Sequence, residues 1–237
     1  MDLPRCCSPL QSHWPWPEPL DHAVLVSTVV DTGSFRDDDF PVSGIACPET
    51  LTTAAGKRKA EYLAGRVCAR EALRLITGQT DVPRIGDDRA PVWPAGNVGT
   101  ITHGGDWAGA MVAARRHYLG LGMDVERRLT EQRATRLLDQ VLTPDEKARH
   151  AANPGSSYAQ LVTLTFSLKE SLFKALYPVV KRRFYFQDAE LLTWNASGEA
   201  TLRLLSDLSA QWPRGRTVDA QFTEVDHRLL TLVAIPA

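Results

Sequence analysis

The chain has 237 residues, 43% of them apolar, and a formal net charge of −1, which suits a folded protein of one large domain or two small ones. The near-neutral balance excludes a general nucleic-acid binder, which needs a basic surplus to neutralise phosphates. Cys6, Cys7, Cys47 and Cys68 form no metal-ligand spacing and fit reduced thiols in a cytoplasmic protein, and neither a signal peptide nor an apolar run of membrane-spanning length is expected.

Residues 1–20, rich in Pro and Trp, read as an extended lead-in. The β-branched run 23–30 predicts a strand, and Asp37-Asp38-Asp39 after it reads as a solvated turn. Residues 56–77 predict a helix closed by Gly78. At 100° per residue, Ala60, Leu63, Ala64, Val67, Cys68 and Leu75 gather on one side of it, and Lys59, Arg66 and Arg70 on another. Residues 79–99 read as mostly loop.

Residues 107–114 and 118–125 predict two neighbouring strands joined by the basic turn Arg115-Arg116-His117. That turn, at the midpoint, divides the chain into an N-terminal half, 1–116, and a C-terminal half, 117–237, of one compact unit. Residues 130–141 predict a helix, and Thr143-Pro144-Asp145-Glu146 opens another with a capping box. Asn153-Pro154-Gly155 predicts a break, and residues 156–176 a long helix ending near Pro178. The remainder predicts strands with turns at 195–198 and 213–215, the last strand being 227–235. The order is α+β without regular βαβ alternation.

Asp124 and Glu126 stand at i and i+2 on a strand, so they share a face. Acids following the apolar stretch 119–123 call for a cation such as magnesium, or else end in solvent beside Arg127 and Arg128. The long helix is apolar nearly all round, except for a narrow stripe of Thr163, Ser167, Glu170 and Lys174. That stripe presents a carboxylate and an ammonium to something specific, or is an i,i+4 pair worth ~0.2–0.5 kcal/mol. Thr102 and His103, beside Gly104-Gly105, suit a phosphate oxygen, and Arg66 and Arg70 suit another phosphate or a solvated face. Together these describe one magnesium, a diphosphate and a further phosphate. That is the charge layout of coenzyme A, and other nucleotides fit it equally.

The segments Gly65-Arg66-Val67-Cys68-Ala69-Arg70, Ala90-Pro91-Val92-Trp93-Pro94, Gly99-Thr100-Ile101-Thr102-His103, Gly122-Met123-Asp124-Val125-Glu126 and Phe166-Ser167-Leu168-Lys169-Glu170-Ser171-Leu172-Phe173-Lys174 carry a resemblance over residues 56–176. The chain resembles the Sfp-type 4′-phosphopantetheinyl transferases, within them the enterobactin-synthase component D-like branch. The resemblance implies a monomer of two similar α/β halves related by a pseudo-twofold axis, with coenzyme A between them. It implies that Asp124, Glu126 and Glu170 hold magnesium, and that Glu170 and Lys174 are catalytic. It places Arg58, Arg66, Thr102, His103, Asp124, Lys169 and Lys174 on coenzyme A, with Thr102 and His103 at the 3′-phosphate.

The implied reaction moves the phosphopantetheine arm of coenzyme A to a serine of an apo acyl or peptidyl carrier protein. Carriers are implied to be acidic, and Arg127, Arg128, Arg133 and Arg136 are the candidate docking residues. Fatty-acid, polyketide and siderophore synthesis all use such carriers. A hydrolase of a nucleotide diphosphate and a silent coenzyme A or carrier binder are the other classes. Two departures stand out. Ile85 occupies a position where some relatives have lysine, with Arg84 or Arg89 as replacements, and Met123 stands where Ile or Val is usual.

Overall fold

The computed structural model, which describes residues 2–152 and 155–237, turns the apolar periodicity of the sequence into two main sheets, each carrying one long helix. The chain divides into unit 1, residues 1–14, 20–119 and 237, and unit 2, residues 15–19 and 120–236. The break expected at Asn153-Pro154 lies outside the described residues.

In unit 1 the central strand β5 (Trp107–Ala114) pairs antiparallel with β1 (Ala23–Val29) on one side and β4 (Asn97–Gly104) on the other. The short helix α1 (Asp39–Ser43) precedes α2 (Gly56–Thr77), which packs on all three strands. Leu63, Ala64, Val67, Cys68 and Leu73 of α2 are fully buried, each large apolar side chain contributing about 1.5–3 kcal/mol. Leu75, seven residues after Cys68 and on the same side, is nevertheless 46% exposed in the last turn of the helix. Asp39 corrects the reading of a solvated acidic turn. It is fully buried and accepts hydrogen bonds from the backbone N–H of Arg5 and Arg36. Inside the expected loop 79–99 lies a small hairpin of β2 (Arg84–Ile85) and β3 (Pro91–Val92).

In unit 2 the sheet runs in the order β6 (Tyr118–Arg127), β10 (Arg228–Pro236), β9 (Thr217–Val225), β8 (Glu199–Leu204), β7 (Ala189–Trp194). The strands at 107–114 and 118–127 are therefore neighbours in sequence but belong to different sheets. The long helix α5 (Tyr158–Val180) packs on β10 and β7, and α3 (Glu131–Val141) packs on α5. Helix α5 runs through Pro178 instead of ending before it. The amide missing from proline removes a bond only in the last turn, and Lys181 closes the helix at φ 54°. Helix α4 (Pro144–Ala152) opens with the expected box: Glu146 N–H donates to Thr143 Oγ1 at 3.2 Å, and Thr143 N–H to Glu146 Oε2 at 2.6 Å.

Candidate active site

In unit 2, two glycines set the acid cluster. A methyl group on Gly120 would overlap the Ala175 carbonyl, and one on Gly122 the Ser171 carbonyl, so the backbone of β6 lies directly against α5. This contact brings the polar stripe of α5 to the acids of β6. Ser167 Oγ donates to Asp124 Oδ2 at 3.0 Å. Lys174 Nζ donates to Asp124 Oδ1 at 2.7 Å and to Met123 O at 3.0 Å. Leu129 N–H donates to Thr163 Oγ1 at 3.0 Å. Behind the stripe, the hydroxyl of Thr231 on β10 sits 2.9 Å from Ser167 Oγ and 2.7 Å from Ser171 Oγ. Asp124 is thus a buried carboxylate with both oxygens held.

Glu126 and Glu170 are half-buried and lack comparable compensation. Burial, reinforced by the charge of Asp124, pushes the Glu126 carboxyl up to about 7 against the opposing charges of Lys174 and Arg133. Burial also raises Glu170, against Lys174, and Asp124 adds to it. Three acids that feel one another around a single lysine are short of positive charge. Among the described residues no three ligating side chains are already drawn together as a cage. The donors are hard oxygens, and magnesium typically takes one or two carboxylates and completes its shell with water and substrate phosphates. The donor set fits that ion.

Lys169 corrects the reading that put it on the substrate. Its side chain is 2% exposed, and its ammonium donates to Glu146 Oε2 at 2.9 Å, Val141 O at 2.8 Å and Phe186 O at 2.9 Å. All three donors are satisfied inside unit 2. Lys169 and Glu170 are adjacent in sequence but about 100° apart on the helix, so one faces the core and the other the acids.

Unit 1 by itself holds a cleft of about 860 Å³, lined by Arg58, Tyr62, Arg66, Arg89 and His103 among others. Arg66 is only 6% exposed, its guanidinium lies 4.8 Å over the Tyr62 ring, and its Nε has no hydrogen-bond partner among the described residues. A buried guanidinium with an unused donor beside a cavity suits an anion. Arg58 Nη1 lies 2.6 Å from His103 Nε2, and Glu61 Oε2 lies 3.5 Å from His103 Nδ1. Thr102, one residue before His103 on β4, is buried and does not line the cleft, as strand alternation requires. Of the basic face of α2, only Arg66 reaches the cavity. Lys59 pairs with Asp37 at 3.0 Å, and Arg70 donates to the Ser43 carbonyl. Ile85 and Arg89 line the cleft, whereas Arg84 does not.

Glu61 and Tyr62 escaped the sequence reading, and of the two arginines it offered near Ile85 the cleft takes Arg89. Glu61 looks like an ordinary i,i+3 partner of Arg58. The signal for Tyr62 was present, since it stands four residues before Arg66, where an aromatic ring and a guanidinium meet.

A family model for the 4′-phosphopantetheinyl transferase N-terminal domain matches residues 47–113, and one for the 4′-phosphopantetheinyl transferase superfamily matches residues 120–228. The chain is 33% identical to enterobactin synthase component D of Salmonella typhi over 225 residues, 95% of this chain and 91% of that protein. It is 41% identical to enterobactin synthase component D of Escherichia coli K12 over 145 residues, 61% of this chain and 66% of that protein. It is 36% identical to the 4′-phosphopantetheinyl transferase Svp of Streptomyces mobaraensis over 191 residues, 77% of this chain and 75% of that protein.

Proposed function

The chain belongs to the 4′-phosphopantetheinyl transferase superfamily, in its enterobactin-synthase component D-like branch, and on that premise we propose how its side chains divide the work. It moves the 4′-phosphopantetheine arm of coenzyme A to a serine of an apo carrier protein and leaves adenosine 3′,5′-bisphosphate. The substrates we assign are both acyl and peptidyl carriers, the activity of a holo-acyl-carrier-protein synthase. The observation that carries the assignment is the acid set of unit 2, with Asp124 gripped by Lys174 and Ser167, and Glu126 and Glu170 held above the usual carboxylate range.

A serine hydroxyl is a weak nucleophile at neutral pH and needs a base. Glu170 takes the serine proton as the oxygen bonds to the phosphorus bearing the pantetheine arm, and the bond from that phosphorus to the bridging oxygen breaks. Its carboxylate feels the charges of Lys174 and Asp124, so it stands within the acid set and is placed to accept that proton. Lys174, fixed by Asp124, faces the negative charge that gathers on the leaving phosphate. Asp124, Glu126 and Glu170 would hold magnesium, which would supply charge neutralisation at the diphosphate. In unit 1, Arg66, Arg58 and His103 take the nucleotide end.

The direct test incubates the protein with coenzyme A, magnesium and an apo carrier, then weighs the carrier. One added phosphopantetheine, lost with EDTA, is expected. Cleaved coenzyme A with an unmodified carrier would instead mark a hydrolase, and bound, intact coenzyme A a silent binder.

The docking surface we propose lies on the first turns of α3. Arg133 and Arg136 are exposed there, and the charge of Arg133 reaches Glu126, so this face borders the acids. Arg128 is already paired with Glu224 at 2.8 Å. Reversing both charges with Arg133→Glu and Arg136→Glu is expected to raise KM for an acidic carrier about tenfold at low salt and leave kcat in place. An unchanged KM would remove this face from docking.

A further inference from the structure

Thr231 stands on β10 between Leu230 and Leu232, and Ser167 and Ser171 stand one turn apart on α5 facing it. All three are fully buried inside unit 2. Valine at 231 and alanines at 167 and 171 would fill much the same space with no polar atom. Replacing all partners of a buried hydrogen-bonded set by apolar groups of that shape is close to neutral. Packing alone therefore gives these hydroxyls no use, and what they have in common is Asp124.

The hydroxyls form a chain with one direction. A carboxylate only accepts, so the single proton of Ser167 goes to Asp124 Oδ2 at 3.0 Å. Thr231 Oγ1 lies 2.9 Å from Ser167 Oγ and 2.9 Å from Ser167 O. Two hydroxyl oxygens that close need a proton between them, so Thr231 gives its own to Ser167. Ser171 Oγ lies 2.7 Å from Thr231 Oγ1 and 3.2 Å from Thr231 O, and gives its proton to Thr231 in turn. The three O–H dipoles then run toward Asp124, each polarising the next.

Stiffness runs the same way. The carboxylate torsion of aspartate is broad and serine has three staggered positions, whereas β-branched threonine is held at χ1. Strand β10 is bonded on both sides, to β6 and β9, so Thr231 is the fixed end of the chain. Lys174 grips the other oxygen, Oδ1, at 2.7 Å, but from a flexible four-carbon stem that does not set the carboxylate plane.

We propose that Thr231 is a positioning residue that, through Ser167, sets the plane in which Asp124 presents its carboxylate to a divalent cation. This rests on the acids of unit 2 being the metal site.

The test titrates Mn2+, a cation that carboxylates hold as they hold magnesium, into the full-length protein without coenzyme A. Free Mn2+ is read by electron paramagnetic resonance, and Tm is measured on the same samples, for the wild type, Thr231→Val, Thr231→Ser and Asp124→Asn. Thr231→Val keeps the shape, and the carbonyl at 231 still takes the Ser171 proton. Its Tm is expected within about 2 °C of the wild type, while Kd for Mn2+ rises roughly tenfold, the low end for an outer partner of a metal ligand. Thr231→Ser keeps the hydroxyl and loses a buried methyl, so Tm is expected to fall by about 2–4 °C with Kd close to the wild type. A merely structural threonine gives the reverse, with metal affinity following Tm. Wild-type Mn2+ affinity in Thr231→Val overturns the proposal. If Asp124→Asn weakens binding in that case, the acids remain the metal site and Thr231 alone loses its role. If Asp124→Asn also binds as the wild type does, the reading of the acids falls with it. Thr231→Ala, which lacks the hydroxyl and cannot overpack, supplies the same comparison where the valine variant does not fold, with weakened binding expected and wild-type binding overturning the proposal.

Discussion

Glu170→Gln is expected to lower kcat for carrier modification by about 10³-fold, in the range of a lost general base. The substitution keeps the shape of a half-buried side chain on α5, and the described hydrogen bonds of Asp124 run to Ser167 and Lys174, not to Glu170. The fold and the anchoring of Lys174 are therefore expected to survive, with an unchanged Tm and intact binding of coenzyme A. Because Glu170 is assigned both to the metal and to the serine proton, kcat measured against magnesium concentration separates the roles. A variant restored by high magnesium has lost only a ligand. One that stays slow at saturating magnesium has lost its base. A variant with near wild-type kcat throughout would remove Glu170 from the chemistry and leave Glu126, raised to about 7, as the next base to test.

The second large effect falls on stability. Gly122→Ala places a methyl group into the Ser171 carbonyl and against the Ala175 amide, backbone atoms of α5 that no rotamer change can move aside. The helix must lift from the strand or the strand must bend, at roughly 3 kcal/mol or more, the upper part of the overpacking range. Chemical denaturation is the measurement, with a lower midpoint at an unchanged m-value as the expected result. The lifted helix also separates Lys174 and Ser167 from Asp124, so the residual folded protein is expected to be slow. Full stability in Gly122→Ala would mean that β6 and α5 do not meet as described.

The stripe on α5 was legible in the sequence because an almost wholly apolar helix leaves a polar line with few roles. Ser167 and Lys174 on it do meet Asp124. The α+β order and the capping box at Thr143 were legible too, since each rests on local periodicity or a fixed spacing. What periodicity does not carry is pairing between distant segments. The strands on either side of Arg115-Arg116-His117 look like a hairpin and are not one. Asp39 reads as solvated until the N–H groups of Arg5 and Arg36 are seen folded onto it. In the cleft, resemblance marked Arg58, Arg66 and His103 and offered Arg89 beside Arg84, but did not mark Tyr62 beneath Arg66. That contact is set by approach through space.

Glu146 gives one oxygen to Thr143 N–H and Lys169, and the other to Leu191 N–H at 2.5 Å, so a single carboxylate ties α4, α5 and β7 together. The adjacent residues of Lys169-Glu170 therefore answer to different masters. A substitution at Lys169 is expected to act first on how these three elements are held together, by leaving the buried Glu146 carboxylate without its cation.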